Sequence, residues 1–212
     1  EVLDTLNVLF DGDADGNPGG TYDFWFRSAA PRGEEPAGAA RTLFVDRMAP
    51  AGGNGSLANP FNEIDLALNA AAADANPATL EHDSSFDIVR IVGNGGADGN
   101  LATLSDNVAY QVGFSNQGAE LRDGRSLNVP KDVTVMVEAG AIFHMFRSYV
   151  SVGSTAPSIA ADRSGGALQV LGTPTNRVYF TTNNEGPGGI GRDDNTSTAP
   201  PAAGDWGGLA FT

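Results

Sequence analysis

Asp11-Gly12-Asp13-Ala14-Asp15-Gly16-Asn17 is the stretch of this 212-residue chain whose residue types and spacing best suit chemistry. Three carboxylates at alternate positions, followed by a carboxamide, offer oxygen ligands that converge on one hard cation, and Gly16 permits the sharp turn this needs. Three like charges so close together repel unless a cation neutralises them. The pattern departs from the EF-hand where the bidentate acid should stand. The twelfth position counted from Asp11 is Tyr22, and Asp23 comes one residue late. The expected ligands of a bound Ca2+ are therefore Asp11, Asp13, Asp15, Asn17 and Asp23, in a loop of another calcium-binding type; the alternative is a solvated acidic turn.

A second polar cluster joins Asn183-Asn184-Glu185 to Asp193-Asp194-Asn195 in one long loop, suited to calcium or to sugar hydroxyls. Asp98-Gly99-Asn100 is a weaker version of the same chemistry. A calcium-dependent polysaccharide lyase would add a basic residue that removes the proton α to a carboxylate. Arg147, Arg163 and Arg177 are available, but none stands in a lyase signature. A glycosidase would need two carboxyls roughly 5 to 10 Å apart. Glu138 sits at a corner, where a hydrogen bond to the next coil explains it more simply. His82 and His144 have no second histidine at ligand spacing and read as structural or exposed. Trp25 and Trp206 are of a type that stacks on sugars, although Trp206 belongs to a Trp-Gly-Gly corner and reads as packing. No catalytic residue is assigned.

Positioning such loops is a task for a turn-rich β framework. Twenty-eight glycines and 12 prolines with only 18% charged residues describe that class rather than a helical one. The net charge of -14, with Lys131 the single lysine, argues against a nucleic-acid partner, which would want a basic stripe. There is no cysteine, hence no disulfide and no thiolate chemistry. No apolar run approaches the ~18 residues of a membrane span. The chain begins at Glu1 without a methionine and stops at Thr212 directly after a strand-like run. Both ends are expected to be cuts from a longer protein, with flanking parts lying outside the sequence.

Val133, Val135 and Val137 alternate with Thr134 and Met136, the period-two pattern of a strand. Glu138-Ala139-Gly140 leaves room for a bend but not a reversal, and Ala141-Ile142-Phe143 resumes extended character. The pattern returns at Ala167–Val170, a corner over 171–176, and Arg177–Thr181, with a partial third copy at Trp206–Phe211. Leu168 follows Thr134 by 34 residues and Leu209 follows Tyr179 by 30, spacings that signify stacked units. Units this small bury an apolar face only by stacking. Further strands are expected at Thr42–Asp46, Phe86–Gly93 and Val108–Val112. A helix is expected from Asn59, as cap, and Pro60, as first helical residue, with Phe61, Ile64, Leu68 and Ala71 or Ala72 on one face.

The string V-P-K-D-V-T-V-x-V-E-A-G-A-I-F from Val129, the string G-A-L-x-V-x-G-T-P-x-x-R-V-Y-F-T-T from Gly166, and G-D-W-G-G-L-A-F from Gly204 resemble right-handed parallel β-helix proteins of the pectate-lyase-like superfamily. More narrowly they resemble coils of large bacterial surface and secreted proteins. The strand at Thr42, the glycine turn after it and the N-P-F-x-x-I helix resemble the entry segment of such proteins, in which the helix closes the first coil. Residues 1–30 resemble the closing strands of bacterial immunoglobulin-like modules.

The resemblance implies an all-β chain: a right-handed parallel β-helix with an N-terminal capping helix over 42–212, truncated at its C-terminal end. Residues 1–41 precede it as a short β segment with the acidic loop and a linker. It implies a structural or adhesive segment of an exported, extracellular or cell-surface bacterial protein: a stalk, adhesin, layer or filament subunit, calcium-stabilised. Its partners would be neighbouring modules of the same chain, copies of itself, or polysaccharide. The alternatives are a polysaccharide lyase or glycoside hydrolase on an acidic polysaccharide, and a non-catalytic carbohydrate-binding module, since this fold carries all three.

Overall fold

The computed structural model describes residues 41–73, 87–154, 162–184, 189–193 and 199–212. These residues are mainly β, arranged in parallel sheets with a single helix among them. The strands are β1 (Thr42–Val45), β2 (Ile88–Ile91), β3 (Tyr110–Gly113), β4 (Leu127–Asn128), β5 (Thr134–Glu138), β6 (Ile142–Phe146), β7 (Val150–Val152), β8 (Ala167–Leu171), β9 (Tyr179–Thr182) and β10 (Leu209–Phe211). Helix α1 spans Ile64–Ala73.

Three sheets hold them, in the orders β1-β2-β5-β8, β3-β6-β9 and β4-β7-β10, and every pairing is parallel. The chain therefore visits the first, second and third sheets in turn, three times over: β2-β3-β4, β5-β6-β7 and β8-β9-β10. β1 adds one more strand to the first sheet.

Side chains alternate across a strand, and the register stacks like upon like. In the first sheet Leu43, Val89, Val135 and Leu168 lie in one row, and Val45, Ile91, Val137 and Val170 in the next. In the second sheet Tyr110, Phe143 and Phe180 align. Their rings, with Trp206, form a ladder with centroids 5.5, 4.7 and 6.3 Å apart. Apart from the exposed Val170, these rows meet in one apolar core, which Ile64, Ala67, Leu68 and Ala71 of α1 join.

Corners are tight where two sheets meet. Gly140 turns the chain from β5 to β6 with φ 79°, and a Cβ there would stand 2.7 Å from Leu101 Cδ2. Gly113 ends β3 with φ 115°, and its Cβ would lie 1.9 Å from the Phe146 carbonyl oxygen of the next pass. Both positions accept only glycine without displacing the neighbour.

Three sequence expectations change. The helix begins at Ile64, not Asn59. Asn59 belongs to the preceding turn, where its carbonyl accepts the Asn54 and Gly55 N–H groups. The Ile64 N–H is instead received by the Asp123 carboxylate at 2.9 Å, from 59 residues away. The repeat from β5 to β8 is 33 residues, Thr134 facing Ala167, because a spacing of 34 would turn Leu168 from the core to the outside. The run at Leu209–Phe211 stacks on Val150–Val152 in the third sheet, not on β9 in the second. Its distance from Tyr179 is thus a step around the pass rather than a repeat. Residues 1–40, with the short β segment and the loop of Asp11, Asp13, Asp15, Asn17 and Asp23, lie outside the described residues.

Candidate functional site

Several of the polar residues singled out from sequence are, where described, engaged in holding the framework. Arg90 of β2 donates from Nε to Glu138 of β5 at 2.6 Å, so Glu138 clamps two successive passes. Asp98 Oδ1 accepts the Asn100 N–H at 2.8 Å and Asn100 Oδ1 accepts the Ala102 N–H at 3.1 Å, a loop that caps itself. Asn184 Oδ1 accepts from Asn116 Nδ2 at 2.8 Å. Thr182 Oγ1 donates to Asp205 at 2.7 Å, and the Ala202 N–H donates to the same oxygen at 3.0 Å. Burial pushes the Asp205 carboxyl up, but the Thr182 hydroxyl, the Ala202 N–H and the Asn184 amide outweigh it and hold the group below its ordinary value.

Asn183 and Asn184 are buried beside β9, whereas Asp193 turns to His144, so the described part of the second cluster is divided. Glu185, Asp194 and Asn195, like His82 and Trp25, lie outside the described residues. Among the described residues no three His, Asp or Glu side chains converge to hold a metal. The Arg147 guanidinium stacks 5.0 Å from the Phe146 ring and Arg177 is exposed in the β8–β9 turn. Trp206 packs against the core.

His144 does its work on the outside of the second sheet. Residues 190–193 form a strap laid along Val108, with the Arg192 N–H donating to the Asn107 carbonyl at 2.6 Å and the Ala109 N–H to the Arg192 carbonyl at 2.8 Å. His144 Nδ1 meets Asp193 Oδ2 at 2.5 Å and Nε2 meets the Ile190 carbonyl at 2.6 Å. Both partners are acceptors, so donating to both requires the imidazolium form.

A buried polar knot lies beneath the start of α1. Asp123 is closed to solvent and accepts N–H groups from Ile64 at 2.9 Å and Gln111 at 2.7 Å, with Arg47 Nη1 at 3.8 Å. Burial pushes its carboxyl up to about 6, against the pull of Arg47 and the two N–H groups. The Tyr110 hydroxyl lies 3.0 and 2.8 Å from the carbonyls of Val45 and Val92. Burial first, then the nearby Asp123 and Asp46 charges, raise that phenol well above its ordinary value.

Two cavities flank this knot. The larger, about 270 Å³, is a groove between α1 and the corner around β4, lined by Asp65, Asn69, Glu120, Arg125, Ser126 and Asn128 among others. Burial, then the charges of Glu63 and Glu120, raise the Asp65 carboxyl. The smaller, about 90 Å³, is lined by Arg47, Val108, Ala109, Arg122, Arg192 and Asp193. None of Arg147, Arg163 and Arg177 lines either one.

Asp65, Asp123, Arg47, Arg122 and Arg192 carry no local sequence signal, because they come together from four separate segments, only Arg122 and Asp123 being neighbours in the chain. The available hint is scarcity: in a chain with only 12 basic residues, an arginine flanked by apolar runs, as Arg47 is, warrants a buried partner. Among the described residues no helix is long and apolar enough to cross a membrane. No family model, curated protein or solved structure matches the chain.

Proposed function

We propose that residues 42–212 wind as a right-handed parallel β-helix, with α1 as the cap of its first pass, and serve as a structural or adhesive segment of an exported bacterial surface protein. The right hand follows from the strong preference of parallel crossovers for it. The capping role rests on α1 lying against β1, β2 and β4 and sealing apolar side chains there. The observation that carries the structural reading is the contrast between the first and last passes. On the last pass Val170, Leu171, Leu209 and Phe211 are 42 to 62% exposed. Unpaired strand edges with apolar side chains are surfaces for another module or another copy. Calcium held by Asp11, Asp13, Asp15, Asn17 and Asp23 belongs to the same proposal, as does an extracellular or cell-surface location.

A glycan-directed reading, whether binding or hydrolysis, is favoured by one observation: the groove beside α1 collects Asp65, Glu120, Asn69 and Asn128, the side-chain types that take sugar hydroxyls. Incubation with acidic polysaccharides, with and without Ca2+, separates the readings. The structural proposal expects no unsaturated product and no new reducing ends. Sustained turnover would overturn it in favour of the enzyme.

A further inference from the structure

The groove between α1 and the corner around β4 is rich in acceptors and short of donors. One face of α1 supplies Asp65 and Asn69, and the turn and strand opposite supply Glu120, Arg125 and Asn128. Two oxygens of these lining residues, Asp65 Oδ1 and Asn128 Oδ1, are closed to solvent and receive no hydrogen bond among the described residues. The carboxamide of Asn128 has a fixed sense, because its Nδ2 faces the Ser126 carbonyl at 3.5 Å and turns Oδ1 away from it. A buried acceptor without a donor is rare and costly, so two in the wall of one cavity call for a ligand that donates.

Charge narrows the ligand. Among the described residues Asp65 has no ion pair, and the cations beside the groove are already engaged. Arg125 donates from Nε to Glu120 at 2.8 Å, and Lys131, next to Pro130 of the wall, pairs with Asp162 at 3.0 Å. Burial and the charges of Glu63 and Glu120 disfavour the ionised Asp65, a penalty that a cation in the groove relieves. An ammonium group answers both needs, since it carries the charge and three donors with no acceptor. A neutral hydroxyl would leave the carboxylate unbalanced. A hard metal ion takes roughly six to eight oxygens, and no three His, Asp or Glu side chains among the described residues converge to hold one. The volume, about 270 Å³, falls just under the roughly 300 Å³ at which pockets for drug-sized molecules begin, room for one small molecule and not for a chain.

We propose that this groove binds a primary ammonium group against Asp65 and Asn128. The site stands whether or not the chain serves as a structural segment. A free amine and an amino sugar carry the same group, and methylammonium is the probe that tests it without the rest of the molecule.

The experiment is calorimetric titration of the whole chain at pH 7 with methylammonium chloride, against sodium chloride and tetramethylammonium chloride at matched ionic strength. Saturable binding of methylammonium is expected, and none of tetramethylammonium, which has the charge but no N–H. Asp65→Asn, which keeps the shape of the side chain, should weaken binding at least about tenfold, the loss expected for one hydrogen bond to a charged group. Arg125→Ala, an exposed change that frees Glu120, should tighten it. Both sources support the site: glucosamine binding more tightly than methylammonium assigns an amino sugar, and equal affinity assigns a free amine. The proposal is overturned if methylammonium gives no saturable signal, if tetramethylammonium binds as well, if Asp65→Asn keeps the parent's affinity, or if Arg125→Ala weakens binding.

Discussion

Replacing Phe143 with alanine tests the stacking of successive passes at its centre. The ring is fully buried, 4.7 Å from Phe180 at an interplanar angle of 13° and 5.5 Å from Tyr110. The neighbours cannot collapse into the space, because Tyr110 and Phe180 sit on strands held in register with β6 on either side. The cavity thus stays open, and a Phe→Ala change of this kind costs about 3–5 kcal/mol. That is a large fraction of a total stability on the order of 5–15 kcal/mol. At roughly 2–4 °C per kcal/mol for a chain of this size, the melting temperature should fall by about 12 °C. Phe180 is only partly buried, so Phe180→Ala should cost less, about 2 kcal/mol. Because the rings stack, the double variant should fall short of additivity by about 1 kcal/mol. Urea unfolding with an unchanged slope is the assay. A Phe143→Ala cost below about 1 kcal/mol, or strict additivity with Phe180→Ala, would refute both the ladder and the register behind it.

Gly113→Ala should cost about 3 kcal/mol or more, since φ 115° and a Cβ 1.9 Å from the Phe146 carbonyl both resist a side chain; a soluble variant melting like the parent would count against that corner. For Asp123 the folded carboxyl at about 6 lies above the ordinary 3.8, so between these values the folded state keeps a proton that the unfolded state has lost. Stability from this group therefore falls as pH rises through that window, by roughly 3 kcal/mol in all, and the slope difference between the parent and Asp123→Asn measures it. Should the two slopes coincide, the carboxyl is not held up by burial. Chelation is expected to lower the melting temperature if Asp11, Asp13, Asp15, Asn17 and Asp23 hold calcium, and an unchanged melt with chelator removes that proposal.

Much of the framework is legible in the sequence because it is written in local patterns. Alternating valines at 133–137 and the bend at 138–140 correspond to β5, its corner and β6. The spacing of Ile64, Leu68 and Ala71 marks the buried side of α1. Glu138 as a clamp between passes follows from its place at a corner. What local pattern does not carry is the pairing of distant segments. Leu209–Phe211 has a strand sequence, but nothing in it says that the partner is β7, because the long connection before it hides which sheet comes next. The cap of α1 is missed for the same reason: Asn59 and Pro60 have the right types, yet Asp123 reaches Ile64 from a turn of another pass. The cavity of Arg47, Arg122 and Arg192 draws on three segments that no short motif links. The most motif-like stretch, Asp11 to Asn17, lies outside the described residues.

Amide hydrogen exchange read strand by strand addresses the central claim, that three parallel passes are stacked into one structure and buttress one another. β5, β6 and β7 are flanked on both sides in their sheets, whereas β8, β9 and β10 are edges. The account predicts slowest exchange in β5, β6 and β7, opening together with nearly the full unfolding free energy, and faster exchange in β8 and β10. Fast exchange in β5 and β6 with protection confined to the last pass would contradict it.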